Sequence, residues 1–182
     1  MSFRIAFMGA SGTGKSKMAT WLQERYSLPD NPVGSRSVSK AMGFDSPYDV
    51  DKVPGMRAQF QRRLLTEKLA WEEASEGFVS DRTILDSLIY TMFHDIYAVD
   101  EETLRLVAKG MQRYTHIIYC PVEAFCNPGG DTARVQDLTY HRLYDVTIRA
   151  LFEKFRPMRS SFTTLHMSVF EDRQRAMAAV IG

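Results

Sequence analysis

Eight consecutive residues, Gly9, Ala10, Ser11, Gly12, Thr13, Gly14, Lys15 and Ser16, satisfy G-x-x-x-x-G-K-[ST] at every fixed position. Glycines let the backbone close around an anion without a Cβ in the way, so successive N–H groups can converge on phosphate oxygens. The Lys15 ammonium is suited to the β- and γ-phosphates, and the Ser16 hydroxyl to Mg²⁺. This spacing therefore specifies binding of a nucleoside triphosphate, with ATP and Mg²⁺ as the expected cofactors.

Two further groups could act on the nucleotide that this loop holds. Asp81 and Arg82 come directly after the short apolar run Phe78-Val79-Ser80. A carboxylate there could bind Mg²⁺ through a water or accept the proton of an attacking hydroxyl, and a guanidinium beside it could grip phosphate oxygens in a fork. The competing reading is a surface ion pair that caps the next helix. The third group is Gly129-Gly130-Asp131-Thr132-Ala133-Arg134, in a stretch rich in Pro, Gly, Asn and Asp. Arg134 either closes over the transferring phosphoryl group and excludes water, or belongs to a solvated loop.

The elements that must position these groups are marked by hydrophobic periodicity and turn formers. Residues 3–8, 78–80, 116–120 and 162–167 read as strands, being short, apolar and bounded by turn formers. Helical patterning covers 15–26, 54–76, 83–94, 101–113, 135–155 and 171–180, with Gly77 expected to stop the second of these. Pro29 and Pro32 make 27–32 a loop, and the pattern over 35–40 fits no one element. Strands alternating with helices imply a parallel sheet covered on both faces, with the ligand at the carboxyl ends of the strands.

Composition narrows the function classes. Over 182 residues, 23 Lys plus Arg nearly cancel 22 Asp plus Glu, so no general basic field points to sequence-independent nucleic-acid binding. No apolar run is long enough to span a bilayer and the N-terminus has no signal-peptide core, which makes the cytoplasm the expected location. Cys120 and Cys126 have neither zinc nor redox spacing and are expected to be reduced thiols. None of the four histidines has ligand spacing.

The three groups, in this order, resemble the P-loop kinases of the nucleoside and nucleotide monophosphate type. Asp81-Arg82-Thr83-Ile84-Leu85-Asp86-Ser87-Leu88-Ile89-Tyr90 is similar to the thymidylate kinase pattern D-R-Y-x-x-S-x-x-A-Y, with Thr83 in place of the aromatic residue and the serine displaced by one. Asp131 to Arg134 is similar to the D-G-x-R lid of nicotinamide riboside kinases, with Thr132 for the glycine. The expectation is an α/β P-loop NTPase fold in one domain over 1–182: a parallel five-stranded sheet, helices on both faces, and a mobile lid at about 121–135.

By this resemblance, Lys15, Asp81, Arg82 and Arg134 would be catalytic, Ser16 and Asp81 would hold Mg²⁺ with Asp81 acting through water, and Arg82 would also contact the acceptor. Relatives that place an acid before the arginine after their second strand are matched here by Ser35-Arg36, so Asp81, with Asp86 behind it, is the substitute general base. Arg36, Arg57, Gln61, Arg82 and Tyr90 are the candidate contacts for a nucleoside-like acceptor, a small molecule or a base within DNA. The looser likeness is to small phage kinases that phosphorylate 5-hydroxymethyluracil in DNA, for which Arg57, Arg62, Arg63 and Arg82 are candidate DNA contacts. The rival reading is a regulatory NTPase that uses water as acceptor to switch a partner-binding surface.

Overall fold

The computed structural model describes residues 2–127 and 135–182. Among these residues, four parallel strands form one sheet in the order β2-β1-β3-β4: β1 (Arg4–Met8), β2 (Phe78–Ser80), β3 (His116–Tyr119) and β4 (Ser161–Thr164). Ile5 faces Val79 on one side and His116 on the other, while His116 faces Ser161.

The sheet has four strands among the described residues where five are expected, and the outer edge of β2 carries only an isolated parallel bridge, Asp30 to Val79. Val79 N donates to Pro29 O at 2.9 Å and Asn31 N to Val79 O at 3.0 Å. Pro29 has no N–H to extend the ladder backward, and Val33 N, the next donor on that side, is taken by Asn31 Oδ1 at 2.9 Å, so the ladder stops at this bridge. The stretch expected to be a loop thus touches the sheet edge at one point.

Side chains of β1 alternate between two cores, as a pleat requires. Ile5 and Phe7 pack with Val79, Ile118 and Cys120 under α1 (Lys15–Tyr26) and α7 (Phe170–Ile181). Ala6 and Met8 pack with Phe78, Ile117 and Tyr119 under α4 (Ile84–His94), α5 (Glu101–Met111) and α6 (Leu138–Phe155). Trp21 and Trp71 pack against these cores, as structural aromatics.

The ambiguous segment is helix α2 (Ser35–Ala41), succeeded by a 3₁₀ turn at Asp49–Lys52 and by α3 (Met56–Ala74). Val38, Val50 and Phe60 join these three elements in a small separate core. Helix α3 ends at Ser75, in extended backbone, two residues before the expected Gly77. Helix α6 begins later than expected because Asp137 caps it, its carboxylate accepting from Thr139 N at 2.7 Å. Cys120 and Cys126 are free thiols, and no helix among the described residues is long and apolar enough to cross a membrane.

Candidate functional site

Gly9 to Ser16 leave β1 and enter α1 as the phosphate-binding geometry demands. Gly9 has φ 136°, and a Cβ there would lie 2.5 Å from the Cys120 carbonyl oxygen. Gly14, at φ 83°, is the residue that turns the loop into α1. Both positions require glycine, one for space and conformation and the other for conformation. Thr13 Oγ1 donates to Ala10 O at 2.9 Å, and Lys15 Nζ donates to the same carbonyl, closing the loop on itself.

Lys15 is only 4% exposed. Burial, and after it the positive charge of Arg82, lowers its pKa to about 8. Its ammonium thus rests on a carbonyl and a hydroxyl, weak partners for a buried cation, at the place where a polyphosphate would supply stronger ones.

Parallel strands β1 and β2 lie side by side, so the loops that leave their carboxyl ends meet at one edge of the sheet. Ser16 Oγ donates to Asp81 Oδ2 at 2.8 Å. Asp81 Oδ1 is buried with no hydrogen-bond partner among the described residues. A hydroxyl beside an under-used carboxylate suits Mg²⁺, which keeps several waters and takes few protein oxygens. No cluster of three His, Cys, Asp or Glu side chains that could hold a metal occurs among the described residues.

Arg82 lies across the loop. Its Nη2 donates to Ser11 Oγ at 2.9 Å and its Nη1 to Asp86 Oδ1 at 3.1 Å, while its guanidinium stands 5.0 Å from the centre of the Tyr90 ring. Tyr90 OH lies 3.1 Å from the same Ser11 hydroxyl. Asp86 is not a second candidate base: it is 1% exposed. Its Oδ2 accepts from Thr83 N and Oγ1 in a helix-capping box, and its Oδ1 accepts from Tyr144 OH at 2.7 Å. The α4 cap is therefore Thr83 with Asp86, and Asp81 is left for the site.

A cleft of about 890 Å³ runs from the glycine-rich loop past Asp81 and Arg82 to Arg36, Tyr48, Arg57, Gln61, Tyr90 and Tyr140. It joins all five candidate acceptor contacts, which come from α2, α3, α4 and the residues after β2. Gln61 is 4% exposed with its Oε1 unpartnered among the described residues. Arg57 is held by Asp51 through Nε at 2.6 Å and by Pro47 O at 2.8 Å, and covers the Phe60 ring. Phe60 itself is 1% exposed and serves the small core. Asp131 and Arg134 lie outside the described residues.

Residues 4–173 match the model of a family described as an AAA domain. The chain belongs to that family. Solved structures with the same fold include deoxyadenosine kinase from M. mycoides with dCMP and dCDP (14% identity, TM-score 0.64, covering 98% of this chain and 97% of that one). Shikimate kinase from Aquifex aeolicus is similar at 18% identity and TM-score 0.58, with 99% and 97% of the two chains covered. NadR in complex with NR is similar at 16% identity and TM-score 0.67, over 98% of this chain and 50% of NadR. This AAA-domain chain thus shares with these structures an α/β fold, a parallel sheet flanked by helices.

Two parts of the AAA-domain site escape its sequence pattern. Asp30 lines the cleft, and its carboxyl is pushed up by partial burial, then by the charge of Asp81, against the pull of Lys68. No strand pattern marks it, because it reaches the sheet through one bridge. Lys68 is buried under the same edge, bonded to Ser80 Oγ and paired with Glu72 at 3.2 Å, and Glu72 also accepts from Asn31 and Tyr114. The second part is Phe125 to Asn127 with Arg173, of which Cys126, Asn127 and Arg173 meet carbonyls of the glycine-rich loop.

Proposed function

We propose that the protein is an ATP- and Mg²⁺-dependent kinase that transfers the γ-phosphoryl group to a hydroxyl of a nucleoside-like acceptor. The observation that carries this reading is the compartment beyond Asp81 and Arg82. A cleft of about 890 Å³ that continues from the phosphate loop to a buried amide with a spare acceptor atom has room for a second organic substrate. A hydrolase using water needs no such space.

In this reading the amides of Gly9 to Ser16 cradle the phosphates and Lys15 turns from Ala10 O to the β- and γ-oxygens. Ser16 and, through water, Asp81 would hold Mg²⁺, which when bound neutralises charge on the β- and γ-phosphates. Arg82, fixed by Asp86 and Ser11, faces both substrates and positions the acceptor. The acceptor oxygen attacks the γ-phosphorus, its proton passes to the Asp30 or Asp81 carboxylate, and the bond to the ADP oxygen breaks. Arg134 is the lid arginine implied by the resemblance. Gln61 supplies an amide for a base edge, and Tyr90, Arg57 and Arg36 line the walls around it.

Of the four arginines that a DNA substrate would need, only Arg57 and Arg82 line the cleft, while Arg62 and Arg63 lie outside it and pair with Asp100 and Glu67. A free nucleoside-type acceptor is therefore favoured over 5-hydroxymethyluracil in DNA.

The test incubates the protein with Mg²⁺ and γ-labelled ATP against nucleosides, nucleoside monophosphates, nicotinamide riboside, shikimate, and DNA with or without 5-hydroxymethyluracil. Transfer to a nucleoside-type compound is expected. Labelling of the modified DNA alone would select the hypermodification reading, and release to water unaffected by any acceptor would replace the kinase with the regulatory NTPase.

A further inference from the structure

Three successive carbonyls of the glycine-rich loop are each met by a donor from outside it. Cys126 Sγ lies 3.6 Å from Ser11 O, Asn127 N donates to Gly12 O at 2.9 Å, and Arg173 Nη1 donates to Thr13 O at 2.7 Å. The peptides of this loop are trans, so each carbonyl is antiparallel to the N–H of its own peptide unit. Donors that fix Ser11 O, Gly12 O and Thr13 O from outside therefore turn the N–H groups of Gly12, Thr13 and Gly14 to the opposite side, where an anion would sit.

Arg173 is the charged member of this collar. It comes from α7, far along the chain from Thr13, and is 2% exposed. Its Nε donates to Met167 O at 2.7 Å, its guanidinium covers the Phe125 ring at 5.5 Å, and its Nη2 is buried with no hydrogen-bond partner among the described residues. A buried guanidinium spent on carbonyls and a ring is a costly arrangement unless negative charge arrives nearby. The group it touches offers the route, since a cation on Thr13 O polarises the Thr13–Gly14 peptide and strengthens the Gly14 N–H as a donor.

We infer that Arg173 is a positioning residue for the donor polyphosphate. It acts through the Thr13–Gly14 peptide, holding the Gly14 N–H toward the phosphates and adding its charge behind them without touching them. Asn127 and Cys126 do the same for the two preceding peptides with neutral donors. This role rests on the nucleotide-binding reading of the loop and is independent of whether the acceptor is an organic hydroxyl or water.

The test is calorimetric titration of MgATP, inorganic tripolyphosphate and adenosine into the full chain and its Arg173→Met and Arg173→Lys variants, with thermal melts alongside. Arg173→Met is expected to lose about tenfold in affinity for both MgATP and tripolyphosphate, as for one charge-assisted hydrogen bond, with adenosine unchanged. Arg173→Lys, which keeps the charge but cannot reach Thr13 O and Met167 O together, should fall between. A folded Arg173→Met that binds both phosphate probes as the parent does would overturn the inference, and so would a loss shared equally by adenosine. If Arg173→Met does not fold, Arg173→Lys decides, and parental affinity for tripolyphosphate in that variant counts against the role. A parent protein that binds neither phosphate probe would overturn the nucleotide-site reading itself.

Discussion

Ser16 Oγ, on the first turn of α1, donates to Asp81 Oδ2 at 2.8 Å, one residue past the end of β2. The pairing of β1 with β2 is what brings the two together. If this pair is the metal-holding corner of the site, Asp81→Asn keeps an oxygen for the Ser16 hydroxyl and loses the charge that Mg²⁺ needs. Turnover should fall roughly 10²-fold or more while the melting temperature changes little, as for a site residue with few packing contacts. The half-saturating Mg²⁺ concentration should rise with it. Unchanged turnover and Mg²⁺ dependence would make Asp81 a structural partner of α1 alone.

Lys15 ties nucleotide binding to pH. Its pKa is held down to about 8 by burial and then by Arg82. A bound polyphosphate favours the ammonium and raises that value, so MgATP affinity should be complete below about pH 8 and decline as pH rises above it. Calorimetry at about pH 8.5 in buffers of different ionisation enthalpy should show proton uptake on binding, and Lys15→Met should abolish it. In the absence of nucleotide the sign reverses for folding. Between about 8 and the ordinary 10.5 the unfolded chain holds more protons, so this group makes the fold more stable as pH rises through that window.

Legibility in the sequence depends on how local each signal is. Gly9 to Ser16 form one continuous run in which each residue type has its own steric or charge duty, and the loop is found where the pattern puts it. Asp81 and Arg82 are also readable, because a strand end with an acid and a base just beyond it is a short-range arrangement. Asp30 is hidden because Pro29 on one side and the Asn31 side chain's hold on Val33 N on the other leave it a single bridge to the sheet. Asp86 reads along the chain as a reserve base, but the partners that occupy it, Tyr144 on α6 and the Thr83 cap, are contacts a linear reading does not weigh. Arg173 is invisible for the same reason, because its partner Thr13 lies at the other end of the chain.

Gln61 separates acceptor recognition from stability. Its side chain is buried and its Oε1 has no partner among the described residues, an arrangement that costs the empty fold and would favour a ligand with a hydrogen-bond donor. Gln61→Leu should therefore leave stability equal or slightly higher in a thermal melt. The acceptor KM should rise about tenfold or more because the donor it met is left unpaired, with the KM for ATP unchanged. A variant that loses stability and keeps its acceptor KM would return Gln61 to the core.

Asp30 and Asp81 are competing proton acceptors, and pH dependence distinguishes them. Burial, then the Asp81 charge, holds the Asp30 carboxyl above the ordinary carboxylate range, with Lys68 opposing. If Asp30 is the base, acceptor-dependent kcat/KM should climb with pH through that raised value, and Asp30→Asn should cost about 10²–10⁴-fold in transfer while MgATP binding persists. Lys68→Met should push the limb to higher pH, because the neighbouring positive charge that favours the ionised Asp30 is gone. The same change breaks a buried pair with Glu72, so it should also destabilise the fold by about 3–5 kcal/mol, which requires the comparison to be made well below the variant's melting temperature. If Asp30→Asn transfers at the parental rate with the same acid limb, the proton goes to Asp81, and the collapse of Mg²⁺-saturated turnover in Asp81→Asn then reports the loss of a base as well as of a metal partner.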